Sequence, residues 1–176
     1  LLKILLPDSG RLQEEEADFR NRHQLTSHAP ALPLYDEKDA RDALKLLQPV
    51  ANDGKNVEVI EGIQASFMVA GHIMGASLVL VEMANARPDG ESIRFLFSGD
   101  LGHYDQPIVK DPAPPPACDY LMCESTYGNR LHGDVSTADQ MTRIVNEAVS
   151  RNGPILIPAF AVGRTQEVLY LIRELE

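Results

Sequence analysis

Cysteines are scarce in this sequence, with only Cys118 and Cys123 among 176 residues. Four residues separate them and no second pair follows, which excludes a zinc ribbon and a disulfide framework. Because Cys123 stands in an apolar, strand-like run, we expect both residues to be core thiols in a reducing compartment.

Long apolar runs are also lacking. No run approaches the ~20 residues of a membrane-spanning helix, and no segment has the pattern of a signal peptide. We therefore expect a cytoplasmic protein that does not contact a membrane. The chain starts at Leu1 without an initiator Met and stops at Glu176 within a helical pattern, so we also expect it to be part of a longer protein.

Basic residues are outnumbered, since 16 Lys and Arg face 26 Asp and Glu and leave a net charge of −10. Phosphate binding depends on Lys and Arg, so this balance excludes a surface that coats nucleic acid generally. A local cationic or metal-lined groove remains compatible with it. The hydrophobic share of 44% and the charged share of 24% are those of an ordinary globular domain.

Helical patterns occupy the first 50 residues. Residues 1–22 predict a helix that is interrupted or kinked at Pro7, with Asp8 or Ser9 capping its second piece and a thin apolar stripe at Leu12 and Phe19. A second helix is predicted from Asp36–Asp39 to just before Pro49, with apolar residues at helical spacing: Ala40, Ala43, Leu44 and Leu47.

Strand patterns follow from Val57. Five strands are predicted, at Val57–Ile60, Ala65–Val69, Leu78–Met83, Ile93–Phe97 and Tyr120–Cys123. A turn at Arg87–Gly90 predicts an antiparallel hairpin. The segment Asp111–Pro116 is typical of a stiff surface spacer, with a ligand for a proline-reading module as the alternative.

The last third of the chain has two helical patterns around one apolar run. A capping box at Thr137–Gln140 opens the first helix and Asn152-Gly153-Pro154 ends it. Ile155–Pro158 predicts a buried strand, and Gly163 opens the last helix. This order indicates a parallel crossover and an α/β fold, a mixed sheet covered by helices. The expected inward residues are Met141, Ile144, Val145, Ala148 and Val149 of the first helix, and Val168, Leu171, Ile172 and Leu175 of the last.

Two metal-capable side chains, His72 and Asp100, stand in glycine-rich turns after apolar runs. Imidazole nitrogen and carboxylate oxygen are the ligands expected for zinc or a similar divalent ion. A structural histidine and a turn aspartate are the alternatives. Glu124 follows a strand, and a carboxylate at this position predicts either a chemical role at the carboxyl end of the strand or a cap on the following turn. Arg164 begins a helix, which predicts either a phosphate-binding site or an ion pair between Arg164 and Glu167.

Four motifs occur in order along the chain: Ala70–Ser77, Ser98–Gly102, Glu124–Gly128 and Pro158–Glu167. With them, the sequence resembles the β-CASP branch of the metallo-β-lactamase superfamily, the RNA-processing nucleases. Two further segments, 8–17 and 34–39, are similar to its bacterial and archaeal members. The resemblance implies a partial αββα sandwich, with residues 1–152 in the metallo-β-lactamase domain and residues 153–176 beginning the β-CASP domain.

The resemblance also implies roles for single residues. His72 is expected to be a metal ligand, Asp100 a ligand that bridges two zinc ions, and Glu124 an acid that orients a proton-donating histidine. Two metal ions would activate water and stabilise phosphoryl charge during RNA hydrolysis. The candidate substrate contacts are Ser125, Thr126 and Arg164.

The family's His-x-His-x-Asp-His cluster, which supplies most of its zinc ligands, is absent from the sequence. None of His23, His28, His103 and His132 has that spacing. His103 is interpreted as a surface-loop residue, with adventitious metal binding as the alternative. We therefore expect a parent protein that is a zinc-dependent ribonuclease acting on RNA, and an isolated chain that binds zinc weakly or not at all and cleaves nothing.

A non-catalytic scaffold homologue in an RNA-processing complex is the main alternative, and a small-molecule hydrolase on the same fold is another. The presence of His72, Asp100 and Glu124 argues against the scaffold, and the motifs at Glu124 and Pro158 argue against the small-molecule hydrolase. A truncated sandwich exposes sheet edges and an apolar face, so we expect a homodimer of the fragment.

Overall fold

The computed structural model describes residues 1–131 and 136–174, and the chain packs as two compact units, Leu1–Val50 and Ala51–Glu176. His132 and Leu175 lie outside the described residues. Within those ranges, none of the helices has the length and apolar character needed to cross a membrane. The division of the fold at residue 152 stays a prediction. The elements are α1 (Leu2–His23), α2 (Glu37–Leu44), β1 (Asp53–Ile60), β2 (Ile63–Val69), β3 (Ser77–Met83), β4 (Ile93–Phe97), β5 (Tyr120–Met122), α3 (Thr137–Ser150) and α4 (Arg164–Arg173).

The predicted interruption of the first helix is wrong, because α1 continues through Pro7, and the alternative of a kink there stays a prediction. Proline lacks the N–H that would donate to the Lys3 carbonyl oxygen and its ring crowds that carbonyl, and the helix tolerates both effects one turn from its start. Asp8 and Ser9 lie inside α1 instead of capping it. Asp8 accepts a hydrogen bond from Arg11 at 2.6 Å, and the Ser9 and Tyr35 hydroxyls share a hydrogen bond of 2.7 Å.

Small residues form the contact between α1 and α2. The predicted apolar stripe is wrong, since Leu12 and Phe19 are half exposed while Gly10 and Ala40 are buried. A Cβ atom on Gly10 would lie 2.6 Å from the carbonyl oxygen of Asp36. The close approach of the two helices therefore requires glycine at this position and leaves the larger side chains outside.

The predicted second helix is confirmed as α2. Asp36 accepts a hydrogen bond from the Asp39 N–H at 2.7 Å, and the Asp39 carboxylate accepts one from the Asp36 N–H at 3.2 Å. This reciprocal capping box fixes the start of the helix. The helix ends at Leu44, so Leu47 lies beyond it and is exposed.

The five predicted strands are confirmed and form one sheet in the order β1-β2-β3-β4-β5. All neighbouring pairs are antiparallel except β4 and β5, which are parallel. The predicted turn closes the β3–β4 hairpin, with the Gly90 N–H donating to the Arg87 carbonyl oxygen at 2.9 Å. The fold is therefore α/β with a mixed sheet, which is compatible with a partial metallo-β-lactamase fold.

The core lies on one face of the sheet. Strand register places Ser66, Leu80 and Leu96 side by side across β2, β3 and β4, and all three are buried. The proline-rich segment lies against the end of β2, where the Ala113 N–H donates to the Val69 carbonyl oxygen at 2.8 Å. This segment is therefore held to the sheet by a backbone hydrogen bond and is more than a surface spacer.

The thiol prediction is confirmed for one cysteine only. Cys118 is half-buried and packs against the core cluster, whereas Cys123 is exposed. Within the described residues, the sheet has no strand beyond β5. Cys123 follows this edge strand, so no further strand covers it.

The predictions for the last third of the chain are partly wrong. The helices form as α3 and α4, although the N-cap of α3 is Ser136, one residue before the predicted box. Residues 155–158 form no strand, and Leu156 is 91% exposed. Neither α3 nor α4 has a fully buried residue in the part that the structure describes, so the expected inward faces are at most partly covered. The only parallel pair in the described sheet is β4 with β5, so the expected crossover does not form.

Candidate functional site

Three strands end at the same edge of the sheet. Val69 at the end of β2 pairs with Ser77 at the start of β3, and Phe97 at the end of β4 pairs with both Val79 and Met122. The loops that follow β2, β4 and β5 therefore start side by side. These loops carry the three candidate site residues His72, Asp100 and Glu124.

His72 and Asp100 approach each other across two of these loops. His72 Nε2 lies 4.0 Å from Asp100 Oδ2, and their side chains are 48% and 77% exposed. Both can therefore be reached from solvent. The structure brings together in space two residues that are 28 positions apart in the sequence.

A glycine sets the spacing of the His72 and Asp100 loops. The Gly102 N–H donates to the Ala70 carbonyl oxygen at 2.8 Å, which joins the two loops by their backbones. A Cβ atom on Gly102 would lie 1.8 Å from the carbonyl oxygen of Gly71. Any other residue at position 102 would have to push the loops apart, and with them His72 and Asp100.

A buried serine joins the Asp100 and Glu124 loops. The Ser98 N–H donates to the Met122 carbonyl oxygen at 2.9 Å, and its hydroxyl accepts from the Glu124 N–H at 3.0 Å. In return, Glu124 Oε1 accepts from the Leu101 N–H at 2.9 Å. These hydrogen bonds hold the residue after Asp100 directly against the Glu124 carboxylate.

The Glu124 carboxylate is held in its charged form. Hydrogen bonding from Thr126, the largest effect, and then from the Leu101 N–H lowers the pKa of Glu124, and His72 contributes in the same direction. An ionised carboxylate accepts hydrogen bonds and cannot donate a proton. Glu124 therefore caps the turn at Thr126, as one of its two interpretations predicted, and it lines the same cavity as His72 and Asp100; a chemical role for it stays a prediction.

All six sequence-predicted site residues line one cavity of about 480 Å³: His72, Asp100, Glu124, Ser125, Thr126 and Arg164. Arg164 also makes the ion pair that the sequence offered as its alternative, with Glu167 at 2.9 Å. His103, expected on a surface loop, is exposed and lines the same cavity. The functional roles of these residues stay predictions.

The donor atoms of this cavity can be compared with the coordination geometry of zinc. Tetrahedral zinc, with bonds of ~2.0–2.2 Å, holds two nitrogen or oxygen ligand atoms ~3.4 Å apart, and the His72–Asp100 distance of 4.0 Å is longer than that. Among the residues that the structure describes, no three His, Cys, Asp or Glu side chains are placed to hold a metal ion. Zinc sites use three or four protein ligands. The residues present therefore do not fit a zinc ion on their own.

Comparison with known proteins identifies the family. No protein-family model matches the chain. A ribonuclease of Thermus thermophilus is 33% identical over 173 residues, which cover 98% of this chain and 34% of that protein. The chain belongs to the β-CASP branch of the metallo-β-lactamase superfamily. Proteins of this family generally use metal ions.

Two further relatives of this chain are eukaryotic. Subunit 3 of the cleavage and polyadenylation specificity factor of Dictyostelium discoideum and an endoribonuclease of Schizosaccharomyces pombe are each 34% identical over 143 residues. These residues cover 80% of this chain, but 17% and 18% of the two relatives. The chain thus spans about a third or less of the length of these three relatives.

Ser98 and Gly102, the two residues that join the site loops, have no role that local sequence patterns predict. Both stand inside the motif Ser98–Gly102. The motif lacks the spatial signal, because the partners of Ser98 lie 24 and 26 residues away and those of Gly102 about 30 residues away. Contacts over such separations exist only in the folded chain.

Proposed function

We propose that this chain is part of a zinc-dependent ribonuclease that hydrolyses RNA phosphodiester bonds. His72 and Asp100 are metal ligands in this proposal, and Glu124 is a charged acceptor that orients a catalytic partner. The remaining zinc ligands come from outside the present 176 residues. RNA is the substrate because the relatives are named ribonucleases and endoribonucleases.

The observation that carries the proposal is the convergence of His72, Asp100 and Glu124 at one cavity. His72 and Asp100 supply a nitrogen and an oxygen donor 4.0 Å apart, which are two of the ligands that a divalent cation requires. The Glu124 carboxylate in the same cavity is ionised. Zinc is the proposed metal because it accepts imidazole and carboxylate ligands together.

The test compares the full-length protein with the 176-residue chain. We expect the full-length protein to cleave single-stranded RNA, to lose cleavage with a chelator, and to recover it when zinc is added. The Asp100→Asn variant should lose cleavage and part of the bound metal, measured by elemental analysis. The isolated chain should bind zinc weakly in calorimetry and cleave nothing, because two ligands do not complete a site. Chelator-sensitive cleavage by the isolated chain would contradict this.

A non-catalytic scaffold is the second candidate, and one observation favours it. The described residues contain no three-ligand metal cluster. The residues encoded upstream of Leu1 decide between the two, since a His-x-His-x-Asp-His cluster there supports the enzyme. A full-length protein without that cluster, and without metal by elemental analysis, supports the scaffold.

The isolated chain is also proposed to form a homodimer. The edge strand β5 exposes Tyr120, Leu121 and Met122, and an open apolar edge favours pairing between copies. Light scattering should report twice the monomer mass at high protein concentration. A monomer at every concentration tested rules the dimer out. A cytoplasmic location stays part of the proposal, and cell fractionation tests it.

A further inference from the structure

The cavity that holds His72, Asp100 and Glu124 is also lined by an aromatic and a cationic side chain, Tyr127 and Arg130. The Arg130 guanidinium carbon lies over the Tyr127 ring, 5.8 Å from the ring centroid. The Tyr127 residue is 56% exposed. Flat aromatic and guanidinium surfaces of this kind are where unstacked nucleobases stack in single-strand binding proteins.

Backbone hydrogen bonds attach this pair to the acidic part of the site. The Gly128 N–H donates to the Ser125 carbonyl oxygen at 3.0 Å, and the Arg130 N–H donates to the Tyr127 carbonyl oxygen at 3.2 Å. These two turns directly follow Glu124 on the same loop. The aromatic surface is therefore held at a defined position relative to the candidate metal ligands.

The positive charge of Arg130 can attract a phosphate in a cavity that is otherwise acidic. The chain carries a net charge of −10, and two carboxylates of this cavity, Asp100 and Glu124, would repel a phosphodiester. Arg164 is partly neutralised by its ion pair with Glu167 at 2.9 Å. No carboxylate within residues 1–131 and 136–174 forms an ion pair with Arg130. Its guanidinium can therefore contact a phosphate without first breaking an ion pair to a described residue.

We propose that Tyr127 and Arg130 form a nucleotide subsite for single-stranded RNA. One base stacks on the face of the Tyr127 ring opposite Arg130, and Arg130, which lies over the other face, contacts the adjoining phosphate. A cavity of about 480 Å³ is within the range of small-ligand sites, roughly 300–1,000 Å³. This inference rests on the proposed function, because the ligand is the RNA that the neighbouring site would cleave. Every base can stack on an aromatic ring, so we expect the subsite to bind single-stranded RNA without sequence preference.

The test measures binding of a fluorescein-labelled single-stranded RNA to the full-length protein by anisotropy, with a chelator present to prevent hydrolysis. Tyr127→Ala and Arg130→Ala should each weaken binding about tenfold, as removal of one stacked base or one phosphate contact does. Tyr127→Phe keeps the ring and should retain most of the affinity. Arg130→Gln is the second variant if Arg130→Ala does not fold.

The chain offers a matched control. Arg173 lies over Tyr170 on α4 at 5.3 Å, the same kind of pair, and neither residue lines the site cavity. Arg173→Ala removes one positive charge, as Arg130→Ala does, and should leave RNA affinity at the wild-type value. Equal losses in both arginine variants would indicate a general charge effect and overturn the subsite.

An abasic RNA of the same length separates base stacking from phosphate attraction. Wild type should bind it more weakly than normal RNA, and Tyr127→Ala should bind it as well as wild type does. Unchanged affinity for normal RNA in Tyr127→Ala and Arg130→Ala overturns the subsite while metal-dependent cleavage leaves the proposed function standing. Weakened RNA binding in these variants of a protein that never cleaves RNA supports the subsite and overturns the proposed function.

Discussion

Residues 63–124 and residues 137–174 differ in how far packing completes what their sequence patterns indicate. The first region contains β2 to β5, and its Leu78, Leu80 and Leu96 are at most 7% exposed. The second contains α3 and α4, which have no buried residue within the described residues. Apolar periodicity is clear in both. Apolar periodicity thus indicates which face of a helix or strand can be buried, but that face is buried only where a neighbouring element packs against it.

The two regions differ in burial because their strands differ in how close in the chain a pairing partner lies. Residues 70–76 link β2 to β3 and residues 84–92 link β3 to β4, so these three strands find antiparallel partners close by in the chain, and only β5 pairs in parallel. Residues 155–158 would need a parallel partner across the α3 helix, and sequence proximity does not supply one. The first region therefore has a buried core, and the apolar faces of the second are at most partly covered.

The largest effect that sharpens this comparison is expected from Leu96→Ala. Leu96 is 2% exposed in the core, and truncation there should cost about 2–5 kcal/mol of unfolding free energy through lost burial and a cavity. The matched variant Leu156→Ala removes the same atoms from an exposed position and should cost less than about 0.5 kcal/mol. Urea denaturation measures both. Equal losses would mean that residues 154–160 are packed after all.

Gly102→Ala should have the next largest effect. Its Cβ meets the Gly71 backbone, so the loops must separate at a cost of about 1–3 kcal/mol. Gly153→Ala in the second region is the control, because the nearest atom to its Cβ is 4.0 Å away. We expect Gly102→Ala alone to shift the His72 ring resonances in NMR spectra. A wild-type spectrum for Gly102→Ala would show that the loops do not depend on this contact.

The attachment of β5 to β4 should depend on pH through Asp119. A hydrogen bond from the Arg94 N–H, the largest effect, and pairing with Arg87 lower the pKa of Asp119. A lowered native pKa stabilises the fold above the ordinary value of ~3.9, and that contribution is lost as the pH falls through the native pKa. Asp119→Asn should therefore be less stable than wild type at pH ~7, with the gap closing below pH ~4. A gap that stays constant in urea melts across this range would contradict the assignment.

The smallest effect is expected from Ser136→Ala at the start of α3. Ser136 Oγ accepts from the Asp139 N–H over a long 3.4 Å, so its loss should cost about 0.5–1 kcal/mol and fray only that helix. Asp36→Ala removes a shorter cap, of 2.7 Å, from the reciprocal box of α2 and should cost more. Amide hydrogen exchange of the two helix starts measures the difference. Global destabilisation by Ser136→Ala would show that α3 is more firmly packed than its exposure indicates.

The candidate site was partly predictable. His72 and Asp100 were predicted because each stands in a glycine-rich turn after an apolar run, and Glu124 because it directly follows a strand; these are local signals. Their arrival at one sheet edge follows from the order and direction of β2, β4 and β5. The links made by Ser98 and Gly102 could not be predicted, since their partners are distant in the chain.

The sequence by itself determined the five strands, the cap of α2 and the order of the site motifs, because hydrogen-bonding turns and side-chain alternation act over a few residues. Tertiary structure alone decided the 4.0 Å approach of His72 to Asp100, the exposure of Leu156 and the close contact at Gly102. Those depend on which surfaces meet in space, and burial and loop contact are properties of pairs of segments that no single segment encodes.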